Sequence, residues 1–147
     1  EVKRKFGAIY RKAWWAKRND AGYFKPEDLP GHFKSPMGLA DVIGESPAIV
    51  LVCAMSPGFR ESVIPATQNL LLSVRALGVG GTITSLHPSV TDDVRELLGI
   101  PESVDVVYCV PLGYPKGNFG PVTRKPLAEV VSVDSWGNQP SYPGPVV

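Results

Sequence analysis

Residues 62–86 limit what this chain can fold into more than any other stretch. Val63, Ile64, Ala66, Leu70, Leu71, Leu72, Val74, Ala76 and Leu77 recur at helical spacing and leave only a thin polar strip at Thr67, Gln68, Ser73 and Arg75. A helix that is apolar on most sides is expected to be buried within a domain or between subunits. Ser62 is the expected cap, and Pro65 suits the first turn. Gly78 fits the left-handed position that closes a helix. Gly80 and Gly81 then remove side chains where a ligand could approach the backbone closely. Gly81, Thr82, Ile83, Thr84 and Ser85 read as a short strand.

The remaining elements follow in order. Phe6, Ile9, Tyr10, Ala13 and Trp14 predict a helix over residues 2–18. Its other face is basic: Lys3, Arg4, Lys5, Arg11, Lys12, Lys17 and Arg18. That face reads as solvated, as an anion-attracting patch near a phosphorylated cofactor, or as a nucleic-acid contact. Of Trp14 and Trp15, one belongs in the core and the other lines a pocket or subunit contact. Pro26, Pro30 and Pro36 hold residues 19–46 to short turns, one near Glu27 and another from Met37 to Ile43. Residues 47–55 form a continuous apolar run expected to be a central strand, and residues 56–62 are the loop into the apolar helix. Residues 90–98 predict an amphipathic helix, with Val90, Val94, Leu97 and Leu98 inward. Asp92 and Asp93 favour its positive end, and Gly99 closes it. Residues 104–112 predict a strand, residues 127–133 an edge strand, and residues 135–147 an extended proline-rich tail.

Composition narrows the function classes. With 147 residues the chain is one domain's worth. A net charge of +1 gives no sign of a polyanionic partner, so nucleic acid is not expected. No run is long and apolar enough to span a membrane. Residues 1–5 lack an apolar signal core, so no export signal is expected, and the cysteine usage, Cys53 and Cys109, implies a reducing, cytoplasmic setting. Cys53 and Cys109 lie in apolar runs and read as buried thiols, with neither metal nor redox spacing. No P-loop, zinc spacing or Ser/His/Asp arrangement is evident. Gly78-Val-Gly-Gly-Thr follows a helix and opens a strand, the reverse of a dinucleotide loop.

Four segments carry a resemblance, in order: Ala66-Thr-Gln-Asn-Leu-Leu-Leu-Ser-Val-Arg-Ala-Leu-Gly-Val-Gly, Arg95-Glu-Leu-Leu-Gly-Ile-Pro101, Val110-Pro-Leu-Gly-Tyr-Pro115 and Arg124-Lys-Pro-Leu-Ala-Glu-Val-Val131. Together they resemble the central and C-terminal part of the FMN-dependent nitroreductase family. The resemblance implies an α+β fold, a three-layer sandwich with a mostly antiparallel sheet flanked by helices, forming a single partial domain over residues 1–147. Nothing in residues 1–46 resembles the family's Arg-Arg-Ser-type or Asn-Gln-Pro-Trp-type segments, so the fold is expected to be incomplete at its N-terminus.

The same resemblance implies a flavin-dependent oxidoreductase with FMN as cofactor. NADH or NADPH is the implied reductant, and a nitroaromatic, quinone or similar small molecule is the acceptor, reduced by a ping-pong mechanism. It implies a site between the subunits of a homodimer. Arg124 and Lys125 would hold the flavin phosphate, and Gly81, Thr82, Ile83, Thr84 and Ser85 would border the flavin N5. Some members carry an acidic residue and glycine where Ser85 and Leu86 stand here. No catalytic residue is assigned. The mid-chain region covers the substrate side in this family, making Phe24, His32 and Phe33 pocket candidates. Gln68 and Asn69 match the central helix as packing or subunit-contact groups. The alternative is a non-catalytic interaction or structural remnant of the fold without flavin.

Overall fold

The apolar face of α1 (Val2–Asp20) buries Phe6, Tyr10, Ala13 and Trp14, the face that helical spacing singled out. The computed structural model describes residues 1–55 and 57–140. A short turn at Pro26–Asp28 and another at Gly31–Phe33 lead into α2 (Lys34–Val42). Pro36 sits in the first turn of α2, where its missing N–H costs nothing. That lets a helix start three residues before the expected Met37.

The sheet has three antiparallel strands in the order β1 (Ala48–Ala54), β3 (Asp105–Gly113), β2 (Gly80–Gly81). Leu51 stands opposite Cys109 and Ile49 opposite Pro111, with a bulge between Val52 and Cys53. Cys109, Ile49 and Leu51 pack with Phe6, Tyr10, Trp14, Ile43, Val90 and Val94 into the main core. α4 (Thr91–Leu98) contributes Val94 and closes on Gly99 in the left-handed conformation (φ 66°). α3 (Arg60–Ala76) packs on β1 and β2, and Leu71 meets Leu112 beside Gly81. Side chains alternate along β3, so Leu112 faces away from Cys109. The sheet is thus flanked by helices on opposite faces, as expected for an α+β chain.

Several expectations need correction. α3 starts at Arg60 with Phe59 at its cap position, so Ser62 caps nothing and Pro65 lies inside the helix. The helix expected to be buried shows the sheet only one side. Thr67 is its one buried residue, while Ile64, Leu72 and the following Leu77 are 51%, 58% and 75% exposed. Thr67 tolerates burial because its hydroxyl donates to the Val63 carbonyl at 2.7 Å. The strand expected over residues 81–85 shrinks to Gly80–Gly81 plus a single bridge between Thr84 and Cys109. The shared register puts Thr82 opposite Pro111, which has no N–H to give the ladder. Cys109 is buried, but Cys53 is only half-buried. Leu98 is 39% exposed.

The chain divides into two compact units, Glu1–Pro115 and Lys116–Val147. In the second, the expected edge strand at residues 127–133 is replaced by a one-turn helix, α5 (Leu127–Val130). Apolar alternation alone does not make a strand where no neighbouring strand takes up its hydrogen bonds. The tail begins as a tight turn in which Val133 N–H donates to the Asn138 carbonyl at 2.8 Å. Ser56 and residues 141–147 of the tail lie outside the described residues.

Two predictions follow from this packing. Gly7 of α1 lies against Gly44, where an added Cβ would be 2.9 Å from Gly44 Cα, whereas a Cβ on Gly38 meets open space. Gly7→Ala is expected to destabilise by about 1–3 kcal/mol through overpacking. Gly38→Ala, inside α2, is expected to stabilise by about 0.5–1 kcal/mol; urea midpoints of both variants check the contrast. The second concerns Cys109, whose pKa burial pushes up from 9.0 to about 12. Unfolded thiol ionises first, so the stability it contributes is full below pH 9 and drains as pH rises to about 12. A loss on the order of 4 kcal/mol is expected across that window, and denaturation curves of Cys109→Ala should show a flatter alkaline limb than the parent.

Candidate functional site

A cleft of about 590 Å³ opens between α1, α2 and residues 82–85. Tyr10, Trp14, Lys17 and Arg18 line it from α1, four residues within two turns on one side of the helix. Phe33, Ser35, Pro36 and Leu39 line it from the turn before α2 and from α2 itself, and Thr82, Ile83, Thr84 and Ser85 form the facing wall. The sequence pointed to this last group for ligand contact, and the structure places all four at one surface depression. Gly81 has a different reason to lack a side chain. A Cβ there would sit 2.7 Å from a Leu112 methyl and 3.1 Å from one of Leu71, so the glycine lets α3 and β3 close together.

Two tethers hold the 82–85 wall to α1. The Tyr10 hydroxyl and Thr84 Oγ1 share a hydrogen bond, and Lys17 Nζ donates to the Ser85 carbonyl at 2.7 Å and to Ser85 Oγ at 2.9 Å. Thr84 is also fixed from the sheet side: its N–H donates to the Cys109 carbonyl, and its carbonyl accepts from Cys109 N–H. The Thr84 N–H is therefore spent within the protein. The pairing of Gly81 with Leu112 directs the Thr82 N–H at the Pro111 carbonyl, whereas the backbone N–H groups of Ile83 and Ser85, which alternate with Thr84, have no partner among the described residues. These two are open to a ligand at the cleft wall whatever their side chains are.

The basic face of α1 is largely satisfied within the chain. Lys3 donates to the carbonyls of Ser46 and Pro47, Lys5 pairs with Glu1, Arg11 with Asp41 and Lys12 with Asp93. This leaves little of the face free to track a polyanion. Arg18 is different: its guanidinium lies 5.0 Å from the Trp14 ring centre and 4.2 Å from that of Phe33, and its buried Nε has no hydrogen-bond partner. Burial pulls the pKa of Lys17 below the ordinary lysine value, and the neighbouring Arg18 charge pulls it in the same direction. Burial raises the pKa of Tyr10, keeping its hydroxyl protonated.

The other candidates separate. Phe33 lines the cleft, His32 stacks on Phe33 at 4.2 Å, and Phe24 is 67% exposed away from it. Trp14 is core and cleft together; Trp15 lines the groove on the far side of α1. Gln68 and Asn69 are exposed on α3. Arg124 and Lys125 belong to the second unit, where Arg124 Nη1 donates to the Thr123 carbonyl at 2.9 Å. Sequence reading missed Arg18 and Lys17 as site residues because they stood in a general basic stripe. The i, i+4 spacing of Trp14 and Arg18 was the available signal.

A Ser/His/Asp contact, absent from the sequence reading, does form. His87 Nε2 meets Asp20 at 2.9 Å and Nδ1 meets Ser89 Oγ at 2.8 Å. Nδ1 also accepts from Ser89 N–H at 3.2 Å, capping the turn at Pro88–Val90. Ser89 lines no pocket described here, and the ring's lone pair is engaged by the cap, so the group ties the end of α1 to this turn. Among the described residues no cluster of His, Cys, Asp and Glu is placed to hold a metal, and no helix is long and apolar enough to cross a membrane.

Comparison with known proteins agrees with this architecture. A protein from Methanothermobacter thermautotrophicus, named as an NADH dehydrogenase/NAD(P)H nitroreductase, is 34% identical over 87 residues, 54% of this chain and 46% of that protein. The chain thus spans about half the length of that curated relative. An iodotyrosine deiodinase solved with FMN and 3-iodo-L-tyrosine superposes with a TM-score of 0.61 at 21% identity, covering 84% of this chain and 66% of the other. A structure from Parabacteroides distasonis, also named as an NADH dehydrogenase/NAD(P)H nitroreductase, gives a TM-score of 0.59 at 23% identity over 66% and 61% of the two chains. At these identities the structural likenesses show the fold. The family model described as Nitroreductase family matches residues 1–114, more than half of the sequence, and the chain belongs to the nitroreductase family.

Proposed function

We propose that this chain is part of an FMN-dependent oxidoreductase that uses NADH or NADPH to reduce a nitroaromatic, a quinone or a similar small acceptor. The observation that carries the reading is the wall at residues 82–85. It offers unpartnered backbone N–H groups at a partly aromatic cleft, within a chain of this family. FMN, when bound, takes up hydride from the reduced nicotinamide and passes it to the acceptor. The chain's own residues fit the ring side of such a group: Ile83 and Ser85 would supply N–H donors of the kind a flavin N5 requires. Lys17 adds positive charge beside them.

Arg124 and Lys125 are proposed for the phosphate. An Arg fork and an adjacent ammonium suit that group, and both side chains are exposed. Because reductant and acceptor would use one site in turn, ping-pong kinetics are expected. We further propose a symmetric dimer, supported by the exposed Ile64 and Leu72 on α3. Apolar side chains concentrated on one helix call for a covering partner. The alternative, a flavin-free interaction or structural remnant, is what the test below separates.

Purified protein should be yellow, or become so on incubation with FMN, and its absorption should bleach when NADPH or NADH is added under argon. Arg124→Ala is expected to weaken FMN binding about 10–100-fold, the worth of hydrogen bonds to a charged group, as read by flavin fluorescence. A protein that stays colourless and takes up no FMN overturns the assignment in favour of the remnant.

A further inference from the structure

The cleft carries a charge imbalance. Two cations, Lys17 and Arg18, line it, and no acidic side chain does. The Arg18 guanidinium lies over two rings, with Trp14 contributed from the turn before it and Phe33 from across the cleft. Rings covering the guanidinium leave its in-plane N–H edge as the direction open to a partner. Its Nε is buried and bonded to nothing among the described residues. Both cations sit in the last turn of α1, where the helix dipole tolerates positive charge. That tolerance explains why they coexist but leaves the buried donor unanswered. Two adjacent cations with no acidic side chain in the cleft suit an anion; Arg18 can offer its Nη groups to a carboxylate or phosphate, and Lys17, with two of its N–H groups on Ser85, adds a point charge beside it. Burial lowers the pKa of Lys17 most and the Arg18 charge adds to it; an anion between the two groups would offset the Arg18 charge. Pro36, Leu39 and Ile83 give the cleft apolar lining, beside the polar Ser35, Thr82, Thr84 and Ser85.

We propose that this cleft binds a small planar molecule bearing an anionic group, with Arg18 and Lys17 holding the anion and Ile83, Pro36 and Leu39 covering the ring. As the acceptor of the proposed reaction, a role that rests on the flavin reading, the molecule is an aromatic carboxylate. The wall at residues 82–85 would then place its ring beside the flavin-facing backbone. The same anion-binding chemistry could instead serve the 2′-phosphate of NADPH, and the experiment separates the two.

The test uses the full chain and reads binding by quenching of tryptophan fluorescence, without turnover. The probes are 4-nitrobenzoate and nitrobenzene, which differ in the carboxylate, and NADPH and NADH, which differ in the phosphate. The parent protein is expected to bind 4-nitrobenzoate at least about 10-fold more tightly than nitrobenzene. Arg18→Gln should remove that preference and leave nitrobenzene within about two-fold, while Arg18→Lys, which keeps charge without the fork, should retain part of it. Equal binding of the two nitro compounds by the parent overturns the proposal. So does an Arg18→Gln variant that loses only its preference for NADPH over NADH, which assigns the anion to the dinucleotide. If Arg18→Gln does not fold, Arg18→Lys and the parent's own preference still decide. A colourless protein that prefers 4-nitrobenzoate through Arg18 sinks the flavin reading alone, and a yellow one without the preference sinks this proposal alone.

Discussion

The seam between α1 and β3 is the constraint on which the rest of the first unit depends. Phe6, Tyr10, Ala13 and Trp14 lie on one side of it and Cys109 on the other, all nearly sealed from water. Burying such side chains provides about 1.5–3 kcal/mol each, against the conformational entropy of ordering the chain. The seam also sets positions. Gly7 and Gly44 let α1 approach the turn at Ile43–Glu45 closely, and that approach brings Tyr10 and Lys17 within bonding reach of Thr84 and Ser85. Core packing and cleft geometry therefore arise from one helix placement.

The 82–85 segment is an interrupted strand that lines the cleft. This stretch lies at the edge of the sheet, where alternate N–H groups, here those of Ile83 and Ser85, point away from the neighbouring strand. Pro111 has no N–H to give Thr82, and beyond Gly81 the pairing continues only as the bridge between Thr84 and Cys109. The residues on either side of Thr84 keep free donors on a backbone that the bridge and the α1 tethers hold in place. Free donors on a rigid backbone are what a polar ring edge needs, since little ordering cost remains at binding.

Much of the fold was legible from the chain alone. α1, β1, α4, β3 and the glycine stops at Gly78 and Gly99 all follow from periodicity and turn chemistry, which are local, whereas which of Trp14 and Trp15 is core did not. The failures share a cause. Burial of α3 was inferred from its composition, but burial is a relation to other elements, and this chain covers only one side of that helix. Residues 127–133 alternate like a strand, but among the described residues no neighbouring strand pairs with them. Ser62 and Pro65 read as a helix start, yet α3 begins earlier, from the turn at Pro57–Phe59. Within the site, residues 82–85 were legible because glycines and family wording marked them. Arg18 was not, because its partners Trp14 and Phe33 are brought together only by folding.

The sequence by itself determined which segments become helices and strands, where glycine ends them, and the family to which the chain belongs, because these depend on neighbouring residues and on the order of motifs. Tertiary structure alone decided that a lysine, an arginine and a broken strand share one cleft, that Gly81 serves packing, and that the outer side of α3 stays uncovered. Those outcomes depend on which surfaces meet across long stretches of chain. Contacts of that kind are set by the summed packing of the whole core, which local spacing does not encode.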